Sequence, residues 1–377
     1  MKAPQRFHSL DALRGIAAFS VVLFHWRFWV PHAEGRPLPV FSAESLPFGH
    51  LMALFYASGD AAVGLFFCLS GFIFYWLYAS PIRQRQVTAR EFAVGRFSRL
   101  YPLHVAALLA ISVAQFGYGA VTNGHSFGFD ANDPLELLKH LLVFPLAIGH
   151  RENSFNAVDW TLAIEAWMYV VFFVLARFVP FRAIATLAML VGAFLLPPHF
   201  ADIRYGLTAF FMGGLMFLIF ERVESALLDR ALRILLAVSW IASLALGSGW
   251  IDIWRTNLVW LRGGYAIYVL FPATVLYLAR REARRSTSLH RLAWFGDMSY
   301  SSYMLHLPLM VLCAFALRLA NLGLTTMLSP IALIGFFAVL GSLSMASLRF
   351  FERPVQQWIR MRFSARRPDD LSFGPAI

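Results

Sequence analysis

A chain of 377 residues that is 59% hydrophobic and 14% charged, with a mean hydropathy of +0.62, is too oily for a water-soluble enzyme of that size. Its net charge of +11 does not point to nucleic acid, because the basic residues fall between apolar runs of membrane-spanning length. Cys68 and Cys313 both lie inside apolar runs and imply neither a disulfide framework nor a cysteine-based zinc site.

The first predicted span covers 10–30, within the stretch FHSLDALRGIAAFSVVLFHWRFWV. It is long enough to cross a bilayer, yet it carries Asp11, Arg14 and His25, and ionisable groups at such depth are costly and commonly functional. Arg14 and His25 are eleven positions apart, so at 3.6 residues per turn they share nearly one face, about 16 Å apart along the axis. Asp11, one turn before Arg14, is placed to pair with it. A plainer reading makes Arg14 a snorkelling anchor and His25 an interfacial residue. No small-residue cleavage site follows the run, so it is read as a retained span and not a signal peptide.

The second span lies within 50–79 and contains FFCLSGF. The basic segment 83–99 precedes the third span, 101–118, and puts Arg96 and Arg99 on one face by their i, i+3 spacing. The patch 137–148 is short and contains Pro145, which predicts an interfacial or re-entrant helix. Span four, 158–178, holds Trp160 and Glu165; Trp160 reads as an outer belt residue or a platform for a sugar. Spans five to eight (184–196, 205–220, 232–246 and 258–278) read as packing helices. Span nine, 294–317, places Tyr300, Tyr303 and His306 on one face, and span ten covers 328–348.

These elements predict an all-α fold, a polytopic membrane helix bundle of about ten transmembrane helices. One integral-membrane domain covers 1–360, and 361–377 form a basic tail without fixed structure. Most Lys and Arg residues lie on alternate segments, which the positive-inside rule assigns to the cytoplasm together with both termini. In that arrangement His25 and Glu165 lie at one depth in the outer half, to within about 3 Å, and are predicted to pair. Arg14, Arg96 and Arg99 lie toward the inner end.

Six motifs now stand in order: LDALRG followed by His25, FFCLSGF, RFSRLYPLH, VDWTLAIEAWMY, SYSSYMLHLP and FFERP. Together they resemble the acyltransferase 3 family of integral-membrane acyltransferases, over nearly the whole chain. Two positions depart from the family pattern: Gly64 stands where an acidic residue is common, and Thr161 where a serine is. The resemblance implies an acyltransferase of the cytoplasmic (inner) membrane of a bacterium. It would move an acyl group, most often acetyl, from cytoplasmic acyl-coenzyme A to a hydroxyl of an extracytoplasmic sugar, polysaccharide precursor or glycolipid, with no permanently bound cofactor and no metal. On that reading His25 is the general base and Glu165 orients it, while Arg14, Arg96 and Arg99 bind the coenzyme's phosphates. Asp11, Tyr303, His306 and Trp160 support the site. The rival reading is a proton-coupled transporter or flippase, because intramembrane His, Glu and Arg also mark proton relays. The inverted repeat common in that class does not appear in the sequence.

Overall fold

The computed structural model describes residues 4, 6–35, 42–128, 133–142, 155–247, 264–284 and 288–363. Every regular element among them is a helix. In chain order the helices are α1 (His8–Trp26), α2 (Trp29–Glu34), α3 (Ala53–Ser58), α4 (Ala62–Leu77), α5 (Ala79–Arg83), α6 (Ala89–Val121), α7 (Pro134–Leu141), α8 (Trp160–Phe178) and α9 (Arg182–Leu195). They continue with α10 (Ala201–Arg222), α11 (Ala226–Gly247), α12 (Phe271–Arg284), α13 (Ala293–Asp297), α14 (Ser299–Leu319), α15 (Pro330–Ser347) and α16 (Arg353–Phe363).

Among the described residues six helical stretches are long and apolar enough to cross a membrane: Ala53–Leu77, Ala89–Val121, Trp160–Phe178, Pro198–Arg222, Ser299–Leu319 and Pro330–Phe363. The remaining predicted spans also fall on helices where they are described, but α9 has only 14 residues, about 21 Å, against a hydrocarbon core of about 30 Å. Large apolar side chains face outward along these helices, among them Phe116 and Ile331 at 84% and 83% exposure. So much exposed hydrocarbon fits lipid as the solvent. Trp26, Phe72, Phe74 and Phe210 fill the interior.

Three local devices set the positions that matter for the site. Helix α6 begins at a capping box, in which Thr88 Oγ1 accepts from the Glu91 N–H and Glu91 accepts from the Thr88 N–H. The helix therefore starts twelve residues before the predicted 101, and Arg96 and Arg99, expected on one helical face, belong to its second and third turns. Helix α1 has no cap of its own. Instead the Glu282 carboxylate of α12 accepts from the N–H groups of His8 and Ser9, each at 2.9 Å, and from Ser9 Oγ. Finally, a wide π turn over Leu348–Glu352 joins α15 to α16, so the last helical stretch runs on past the predicted end at 348. It reaches Phe363, three residues into the segment predicted as a tail; 364–377 lie outside the described residues, as do 143–148 of the predicted interfacial helix, whose start is α7.

Helices α4 and α10 meet backbone to backbone. A Cβ on Gly71 would overlap the Phe210 carbonyl, and one on Gly213 would overlap the Cys68 carbonyl. Gly213→Ala is therefore expected to destabilise the bundle by about 1–3 kcal/mol, the usual range for overpacking. The measurement is the thermal unfolding midpoint in detergent, and an unchanged midpoint would mean that the two helices can part at no cost.

Candidate functional site

Five helices converge on a small cavity of about 90 Å³, enough for about three waters. Its wall contains Arg14 from α1, Arg96 and Arg99 from α6, Glu165 and Tyr169 from α8, and Tyr300 and Tyr303 from α14, with Ser70 and Phe74 of α4 beside them. The three predicted phosphate-binding arginines, Glu165 and Tyr303 are thus gathered in one place.

Each cation is held differently. Arg14 is 8% exposed and donates through Nη2 and Nε to the Gly296 carbonyl, at 2.9 and 3.2 Å, with Nη2 3.4 Å from Asp11. That contact needs a glycine at 296, since a Cβ there would overlap the Asp11 backbone. Asp11 also accepts from Arg6 at 2.5 Å, and Arg6 reaches Asp297 at 2.6 Å, which ties α1 to α13. Arg96 donates to the Tyr78 hydroxyl at 2.6 Å and lies against the Phe74, Tyr78 and Tyr169 rings, while its Nε has no partner among the described residues. Arg99 makes no hydrogen bond or ion pair among the described residues. The Glu165 carboxylate accepts from Tyr169, one turn along α8. Three guanidinium groups against one carboxylate leave the wall net positive in a setting where like charges repel strongly. An anionic group at its mouth would relieve that repulsion and find fork-shaped donors.

Beside the cavity, two histidines meet. His25 Nδ1 lies 2.9 Å from the Val21 carbonyl and 3.2 Å from His306 Nε2, and His306 Nδ1 lies 2.7 Å from the Tyr303 carbonyl. Tyr303 connects the two regions: its ring is in the cavity wall and 6.1 Å from that of His306. Its hydroxyl donates to the Val158 carbonyl at 3.1 Å and lies 3.0 Å from Thr161 Oγ1.

The predicted pairing of His25 with Glu165 is not formed. Equal depth is a statement along one axis only, and the neighbour of α1 at His25 is α14, not α8. Glu165 turns instead toward the arginines. Trp160 is half-buried against the core and outside the cavity wall. His104 is buried and bonds through Nε2 to the His140 carbonyl at 2.8 Å, while His140 bonds to Asp159, also buried. Sequence reasoning missed this cluster and the tyrosines on Glu165 and Arg96; the i, i+4 spacing of Glu165 and Tyr169 was the available signal. A larger cavity of about 440 Å³ lies against another face of α1, from Leu13 to Arg27, but its wall is largely apolar and holds none of the predicted site residues. Among the described residues no three His, Cys, Asp or Glu side chains gather as a metal site would require.

A helical membrane bundle that encloses a cationic cavity next to a histidine pair is a membrane protein with a site suited to anionic ligands and proton transfer. The acyltransferase domain family, the acyltransferase 3 family, matches residues 7–347, and the chain belongs to it. The chain is 30% identical over 184 residues to the acyltransferase MdmB of Streptomyces mycarofaciens, a match covering 47% of this chain and 42% of that protein. It is also 37% identical over 113 residues to protein 2 in the picA locus of Rhizobium radiobacter, covering 30% of this chain and 47% of that one. The matches thus span less than half the length of either relative. No solved structure matches.

Proposed function

We propose that the protein transfers an acyl group, acetyl in the simplest case, from acyl-coenzyme A on the cytoplasmic side to a hydroxyl of an extracytoplasmic sugar, polysaccharide precursor or glycolipid. The observation that carries this reading is the cavity in which Arg14, Arg96 and Arg99 face one carboxylate, next to His25. The proposal includes about ten spans, both termini in the cytoplasm and residence in a bacterial inner membrane.

At about 90 Å³ the cavity has no room for a nucleotide; a segment of the donor's thin arm would pass along it and bring the thioester past Tyr303 to His25. The coenzyme's phosphates therefore belong at the inner mouth, where the guanidinium groups are within reach. His25 Nε2 removes the proton of the acceptor hydroxyl while its oxygen attacks the thioester carbon. The carbon–sulfur bond then breaks, and the thiolate leaves with the proton that His25 returns. Glu165, with Tyr169 bonded to it, holds the arginines together by offsetting part of their charge rather than orienting the base.

Purified protein in lipid nanodiscs is expected to bind acetyl-coenzyme A in calorimetry and to acylate a glycan acceptor, read by mass spectrometry. Absence of both would overturn the proposal, and ion- or pH-coupled flux of a glycan or lipid without acyl transfer would favour the transporter reading.

A further inference from the structure

Two backbone carbonyls fix the hydrogens of the histidine pair. A carbonyl oxygen only accepts, so His25 Nδ1, 2.9 Å from the Val21 carbonyl, carries a hydrogen, and so does His306 Nδ1, 2.7 Å from the Tyr303 carbonyl. In a neutral imidazole the other nitrogen is then bare. His306 Nε2 is therefore an acceptor, and at 3.2 Å it shares the single Nδ1–H of His25 with the nearer Val21 carbonyl. His25 Nε2 is left as a lone pair with no hydrogen-bond partner among the described residues. His306 is completely buried, locked at both nitrogens, whereas His25 is half-buried.

We infer that His306 is the positioning residue of the base: it shares the His25 Nδ1–H with the Val21 carbonyl, helps to hold the ring in the orientation that presents Nε2 to the acceptor hydroxyl, and steadies the imidazolium that forms. The inference rests on the reading of His25 as the base. It assigns to a neutral imidazole the place that a carboxylate takes in a Ser-His-Asp triad. A neutral partner suits this depth, because a buried carboxylate there would be costly to desolvate and would hold the proton on His25 after it should return to the thiolate. No proton is gained or lost by His306 over the cycle: the hydroxyl proton goes to His25 Nε2 and then to the coenzyme sulfur.

The test compares His306→Gln with His306→Leu and His306→Asn, alone and in a His25→Ala background. The glutamine amide reaches the place of Nε2 and still accepts from Nδ1–H; the asparagine amide is one carbon shorter and does not. The expected result is a fall in kcat of at least about tenfold for Leu and Asn, in line with losses from general-base catalysis, with acetyl-coenzyme A affinity unchanged and most of kcat recovered in Gln. In the His25→Ala background His306→Leu is expected to cost nothing further, because residues that act as a unit are not additive. Equal losses in Gln, Leu and Asn, or losses that multiply with that of His25→Ala, would overturn the positioning role while leaving His25 as the base. Should Leu fail to fold in a thermal melt, the Gln and Asn pair decides. Wild-type transfer in His25→Ala alone would remove the base assignment itself and this inference with it.

Discussion

His25→Ala is expected to lower acyl transfer about a hundred- to ten-thousand-fold, the range for loss of a general base, while acyl-coenzyme A binding stays as in the wild type. The two readouts separate because of where the ring lies. His25 is not in the wall of the cationic cavity and touches it only through His306 and Tyr303, so its removal takes away no phosphate donor. Glu165→Gln is expected to behave differently. Its carboxylate faces the arginines and bonds to Tyr169, so the neutral amide should change donor affinity more than the rate of the chemical step. Initial rates at saturating donor, with calorimetry on both variants, test the division. A Glu165→Gln enzyme that matches His25→Ala, with normal donor affinity and a collapsed rate, would return Glu165 to the role of partner to the base.

Periodicity and charge placement made much of this legible before any coordinates. The eleven-residue spacing of Arg14 and His25 put both on the inward side of α1, and the i, i+3 spacing of Arg96 and Arg99 brought both into one cavity wall. What failed was pairing between helices. Depth along the membrane normal can be counted in residues, but which helix stands next to α1 depends on small-residue contacts such as Gly296 against Asp11, which no single helix pattern encodes. Hence His306 was grouped with Tyr303 by face but not joined to His25, and Glu165 was joined to the wrong group. The early start of α6 is a different case. Thr88-x-x-Glu91 is a sequence-level capping box, so the signal was present in a segment read only for its charge and for the shared face of Arg96 and Arg99.

Arg99→Ala is expected to weaken acyl-coenzyme A binding by about 1.5–3 kcal/mol, roughly ten- to over a hundred-fold in Kd, the range for a hydrogen bond to a charged group. Of the three arginines it offers the cleanest test, because its guanidinium has no hydrogen bond or ion pair among the described residues and its loss orphans no partner. Arg14→Ala should reduce affinity by a similar factor but also lower stability, since the Gly296 carbonyl and Asp11 each lose a buried donor. Relief of repulsion works in the opposite direction: removing one of three neighbouring cations favours the fold of the ligand-free protein even as it weakens the complex. The thermal midpoint of Arg99→Ala without donor should therefore be unchanged or raised, while the upward shift produced by acetyl-coenzyme A shrinks. Arg99→Lys separates charge from geometry, because a point charge restores attraction without the two-pronged donor and should recover only part of the affinity. Full donor binding by Arg99→Ala, or a midpoint that falls as far as in Arg14→Ala, would make Arg99 a structural cation and move the phosphate site elsewhere.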